Sequence, residues 1–190
     1  MITVHVEITG TSPLLINRFT EEAQLESKTT KIKVEENRNP REIAEKSAYI
    51  AEDGTYYFSS YAIPRAMGEV GLNYKQKSNR KTLKFVVPSA VRMIAETVTI
   101  LDGDVPASMF EIDARSVVIP ATKGRIMRYR PRFNQWNARF DLFVNDGLMD
   151  VSLAHKLLQE AGQQIGIGDF RPEKRGPFGC FRVTKWQEEA

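Results

Sequence analysis

An α+β domain built on an antiparallel sheet is the fold class this 190-residue sequence predicts, and three observations predict it. The chain opens on a two-residue alternation, with Ile2, Val4, Val6 and Ile8 set against Thr3, His5, Glu7 and Thr9. That is the pattern of a strand with one face in a core. Two segments of helical spacing follow, one after Pro64 and one after Ser152. Short strand-like runs separate and follow them, so the order is strand, helix, strands, helix, loop, strand.

Gly10 to Pro13 ends the first strand, and Leu14, Leu15 and Ile16 continue as an apolar run. His5 falls on the polar phase of the strand and reads as a surface histidine. Residues 19–39 are polar, charged and weakly periodic, an excursion from the sheet. Asn39 and Pro40 then open a helix, with Asn39 as N-cap, Pro40 at the first position and Glu42 in the first turn. Asp53-Gly54 is a turn signal, and residues 55–58 form a short strand. Pro64 suits the first turn of a helix whose apolar residues are Met67, Val70 and Leu72. Gly68 and Gly71 weaken that helix unless something packs closely there. Residues 75–84 are basic and polar, a mobile loop that is either a solvated linker or an arm gripping a strand.

Strand-like runs recur over 91–94 and 97–101, and Asp102-Gly103-Asp104 is a turn. Asp102, Asp104 and Asp113 lack the alternating oxygen spacing of a calcium loop. Residues 115–119 read as a strand. Residues 126–132 and 138–144 read as a hairpin around Asn134 and Gln135. In its first arm Arg128, Arg130 and Arg132 recur at period two, which places three guanidiniums on one sheet face. Like charges so aligned repel, and an anion bound there would relieve them. Ser152 is the expected cap of a helix over 153–164, with Leu153, Leu157, Leu158 and Ala161 inward and His155 on the exposed side. The whole order fits a ferredoxin-like β-α-β-β-α-β sheet in one domain, with insertions over about 19–58 and 73–90.

The segment between that helix and the last strand, GIGDFRPEKRGPFG, places Gly166, Gly168, Gly176 and Gly179 among Arg171, Lys174 and Arg175, with Phe170 and Phe178 interleaved. Glycine admits close backbone approach, cations suit phosphates and aromatic rings stack on bases. A mobile basic turn is the plain alternative. A dinucleotide or P-loop fingerprint is excluded, because those motifs follow a strand and open a helix, whereas here a helix leads into a strand.

Net charge is only +3, but its distribution is uneven. Residues 115–139 carry seven Lys/Arg and no acid, and residues 65–92 carry seven against Glu69 alone. Long one-sign tracts favour an anionic partner, nucleic acid ahead of a membrane. The single Cys180 excludes an internal disulfide. With no signal-peptide pattern and no transmembrane run, a cytoplasmic location is expected.

A helix followed by this glycine-rich loop and the strand CFRV resembles the RAMP superfamily of CRISPR-associated RNA-binding proteins, above all its Cas7-like and Cas5-like members. YAIPRAMG over 61–68 looks like the family's proline-led helix start, and residues 115–144 look like its central hairpin. The resemblance implies an RRM-like domain that binds single-stranded RNA, associates with itself along the strand and joins other subunits. Carried over by position, it implicates Gly166, Gly168, Arg171, Lys174, Arg175, Gly176 and Gly179, with Arg65 at the helix start. Arg128, Arg130, Arg132 and Phe170 complete the expected binding set, with Tyr129 and Trp136 as further stacking candidates. No cofactor, metal or catalytic residue is expected. Two other readings stay open: a phage protein that binds single-stranded DNA or blocks a CRISPR complex, and a metal-independent endoribonuclease of the Cas6 kind using His5.

Overall fold

The structure is a computed structural model in which residues 1–18, 39–76, 81–118 and 124–189 are described. In chain order the elements are β1 (Ile2–Gly10), β2 (Leu14–Leu15), α1 (Pro40–Lys46), β3 (Tyr57–Ser59), α2 (Ala62–Val70), α3 (Val87–Ala90), β4 (Val91–Met93), β5 (Thr97–Thr99), β6 (Leu101–Asp102), β7 (Val105–Pro106), β8 (Glu111–Val118), β9 (Arg125–Phe133), β10 (Asn137–Val144), α4 (Val151–Glu160) and β11 (Phe181–Glu188). They form antiparallel sheets with few helices, a mixed α/β arrangement compatible with an RRM-like fold.

β1 is an inner strand of the main sheet. It pairs antiparallel with β10 on one side and β11 on the other, so that Val6 lies between Phe140 and Trp186. β10 pairs in turn with β4 and, further along, with β6. The alternation in β1 does what it predicts: Val4, Val6 and Ile8 are buried with Ala138, Leu142 and Phe181. Met67 and Val70 of α2 and Leu157 and Leu158 of α4 cover them, and each such side chain stabilises by roughly 1.5–3 kcal/mol. The opposite sheet face is polar, and several of its side chains pair with one another. His5 Nδ1 lies 2.6 Å from Asp141, and Arg139 is paired to Glu7 and Asp104.

Local signals hold at several points. Asn39 Oδ1 accepts from the Arg41 N–H at 3.0 Å, capping α1. Gly54 has φ +84, and Asp53 accepts from the Thr55 N–H, closing the turn before β3. Asp104 and Asp113 are ion-paired with arginines rather than gathered around one point. No helix among the described residues is long and apolar enough to cross a membrane.

Five expectations are corrected. The hairpin of 126–132 with 138–144 does not form: β9 pairs with β8 along its length and with β2, while β10 belongs to the main sheet. Trp136, between them, is buried against Gly10 with its Nε1 donating to Ser12 O at 2.8 Å. Burying that indole carries the chain from one sheet to the other. The inserted hairpin is therefore β8–β9.

Ser152 is not the cap of the last helix. α4 starts at Val151, after Asp150, and ends at Glu160 in a wide turn over Ala161–Ile165, where Gly162 lies against Phe181. His155 is not idle on its surface. It stacks on Trp186 with ring centroids 4.6 Å apart, and burial holds its pKa below the ordinary histidine value.

α2 begins two residues before Pro64, and Leu72 is exposed while Met67 and Val70 are buried. The chain leaves α2 at Gly71, where a Cβ would come within 2.7 Å of the Lys84 nitrogen. Gly71 thus permits close packing; Gly68 has only Lys84 O, at 3.8 Å. The stretch 75–84 is also less loose than expected. Gln76 N–H donates to Lys81 O at 2.8 Å and Leu83 N–H to Tyr74 O at 3.0 Å, with 77–80 outside the described residues. Of the expected insertions, 19–38 likewise lies outside them, and 39–58 supplies α1 and β3.

Candidate nucleic-acid interface

The loop 166–179 is stitched to the corner between β1 and β2. Asp169 N–H donates to Leu15 O and Gly179 N–H to Pro13 O, both at 2.8 Å. Within the loop, Ile167 N–H donates to Gly179 O at 2.9 Å and Gly176 N–H to Arg171 O at 3.0 Å. Any side chain at Gly179, with φ +71, would overlap the Ile167 carbonyl, and one at Gly176 would overlap that of Phe170. Gly166 and Gly168 also have positive φ. The glycines serve the close approach of the protein's own backbone.

The cations of the loop and hairpin divide into closed and open. Arg171 is closed: only 17% exposed, it donates to Gly168 O at 2.7 Å and is ion-paired to Glu173. Burial pushes the Glu173 carboxyl up, but Arg171 and Lys174 outweigh it and hold the pKa below the usual carboxylate value. Arg130 is closed more completely. Its guanidinium, 4% exposed, donates to Asp113 and to Asp169 at 2.9 Å each.

The expectation of three guanidiniums awaiting an external anion is therefore corrected at Arg130. β8 places Asp113 opposite Arg130 and Glu111 opposite Arg132, so part of the repulsion is neutralised inside the protein. Only Arg128 faces another cation, Arg115.

Arg130 also joins the two sequence features, since Asp169 belongs to the glycine-rich loop and Asp113 to the hairpin. Around this bridge, Arg115 and Arg132 lie 4.6 and 5.9 Å from the Phe178 ring centre. Phe170 packs on Phe178 at 6.1 Å. Phe170 is thereby engaged within the protein, Tyr129 packs on the core and Trp136 is buried in it.

Of the predicted binding residues, the open cations are Arg65, Arg128 and Arg175, which are exposed and have no ion-pair partner among the described residues, and Lys174, exposed and 3.4 Å from Glu173. Arg65 lines an open cleft of ≈ 400 Å³ between the start of α2 and the loop. Gly166, Gly168 and Arg171 form the facing wall, with Asp169 and Glu173; Asn17 and Ser59 also line the cleft. Lys174, Arg175, Gly176 and Gly179 lie in the loop but not on the cleft, and Arg128 is on the hairpin. His5 is not among the lining residues.

Sequence reasoning missed Tyr61. It stands at the α2 N-cap with 71% of its surface exposed and lines the cleft with Arg65, four residues on. The available signal was that i,i+4 spacing ahead of the proline-led helix start.

No protein-family profile matches the sequence, and no curated protein resembles it in sequence. Solved structures resemble it in fold. A chain of the Type III-B Cmr-beta complex bound to cognate target RNA superposes with TM-score 0.55 at 12% identity, over 98% of this chain and 60% of that one. This chain thus spans 60% of the length of that relative. Cmr6 from Pyrococcus furiosus gives TM-score 0.48 at 11% identity over 95% of this chain and 97% of that one. A chain of a Type IV-B CRISPR complex gives 0.45 at 13% identity over 99% and 90%.

Proposed function

We propose that this chain is a non-catalytic, Cas7-like subunit that binds single-stranded nucleic acid, RNA ahead of DNA. It would assemble side by side along the strand with other subunits of a CRISPR-type ribonucleoprotein. The observation that carries the reading is the cleft in which Arg65, without an ion-pair partner among the described residues, faces a backbone-locked glycine loop. Open cations at Arg128, Lys174 and Arg175 extend the positive surface, and phosphate contacts supply the sequence-independent part of such binding.

The strand order β11-β1-β10-β4, with α2 before β4 and α4 before β11, supports a ferredoxin-like topology for this unit. The fold likeness to a chain from a complex carrying target RNA supports RNA as the ligand. His5, held by Asp141 on the outer sheet face, is assigned no catalytic role.

The test is binding of purified protein to matched labelled RNA and DNA single strands at several salt concentrations, with the same samples imaged for assemblies. The reading expects RNA preference, an affinity that falls steeply with salt, and length-dependent assemblies. Affinity indifferent to salt, or no binding to either strand, overturns it. Stronger DNA binding would favour a single-stranded-DNA-binding protein instead.

A further inference from the structure

If a strand runs through the cleft, its bases need a surface to stack on, and most of the obvious rings are spent. Trp136 is core, Tyr129 packs against it, and Phe170 and Phe178 are covered by each other and by Arg115. On the outer face of the main sheet the polar groups also engage one another, His5 with Asp141 and Arg139 with Glu7. Among the described residues, Tyr61 is the large aromatic residue left exposed at the cleft. It precedes Arg65 by four residues on α2, so ring and guanidinium lie one turn apart on one side of the helix. A nucleotide offers a flat base and an anionic phosphate on one backbone unit, which matches a ring beside a cation.

We infer that Tyr61 is a base-stacking platform and that Arg65 holds a phosphate of the same strand. The inference rests on the single-strand reading above and adds to it a residue that contacts bases. Stacking on an aromatic ring tolerates any base, so Tyr61 contributes affinity without sequence preference. Its hydroxyl has no role in this contact, and phenylalanine should replace it.

The experiment compares wild type, Tyr61→Ala, Tyr61→Phe and Phe85→Ala on labelled oligouridine and on an abasic ribose-phosphate strand of equal length. Phe85 is 73% exposed but does not line the cleft, so it controls for general adhesion to exposed rings. Tyr61→Ala should bind oligouridine about tenfold more weakly, with no change on the abasic strand. Tyr61→Phe and Phe85→Ala should match wild type on both.

Unchanged oligouridine binding by Tyr61→Ala overturns the inference and leaves the single-strand reading standing. So does an equal loss on both strands, an equal loss in Phe85→Ala, or a Tyr61→Phe variant as weak as Tyr61→Ala. Reduced self-association of strand-free Tyr61→Ala assigns the ring to a protein contact and overturns it as well. Failure of wild type to bind either strand at low salt removes the reading and the inference together.

Discussion

The two walls of the cleft are built by opposite means. The loop 166–179 is dense in glycine and cations, yet its glycines accommodate the protein's own carbonyls and Arg171 is tied to Gly168 and Glu173. The start of α2 is inconspicuous in composition, yet it presents to solvent Tyr61 and Arg65, which has no ion-pair partner among the described residues. The loop is the rigid wall, and the helix start offers the free chemical groups. A dense motif in a sequence can mark what holds a site in shape, while sparser neighbours make the contacts.

Substitutions can break this contrast, and the largest effect falls on the rigid wall. Gly179→Ala combines a left-handed φ with an overlapped backbone carbonyl and should cost about 4 kcal/mol in urea unfolding. Gly54→Ala, with φ +84 but nothing within 4 Å, should cost only about 1 kcal/mol. Similar losses at the two sites would mean that the loop is not locked. Next is Arg130→Ala, which leaves Asp113 with Arg115 alone and Asp169 with the Phe170 N–H, and should destabilise by about 2 kcal/mol, read from the same unfolding curves. A folded Arg130→Ala protein with weaker strand binding but full stability would return Arg130 to the ligand-facing set.

Arg65→Ala should behave oppositely. Stability stays unchanged, while affinity for a single strand falls and the slope of log affinity against log salt becomes shallower by about 0.7. The smallest effect is one of pH. The partly buried His155 ring has a lowered pKa, so the unfolded chain takes up the proton first as pH falls. Stability should be level above the ordinary histidine value of 6.5 and decline as pH drops below it, and His155→Gln should flatten that decline.

Much of the frame was legible because its signals are local. The alternation in β1, the Asn39 cap and the turn at Gly54 each involve residues within a few positions of one another. What escaped depends on distant partners. The arms 126–132 and 138–144 each read as strands, and nothing in either says that the first prefers β8 while Trp136 draws the second elsewhere. Arg130 looked like a surface cation because the carboxylates that bury it lie 17 and 39 positions away. Tyr61 escaped for another reason: a lone aromatic residue at a helix start has the same local pattern whether it ends in a core or over a cleft.

The inner place of β1 governs how its sheet is made. This strand is synthesised long before its neighbours: His5 meets Asp141 136 positions on, and Glu7 meets Thr184 177 positions on. Until β10 and β11 emerge, both edges of an apolar strand stay unpaired. The nascent chain must keep that strand soluble over this interval, and the main sheet closes only after it.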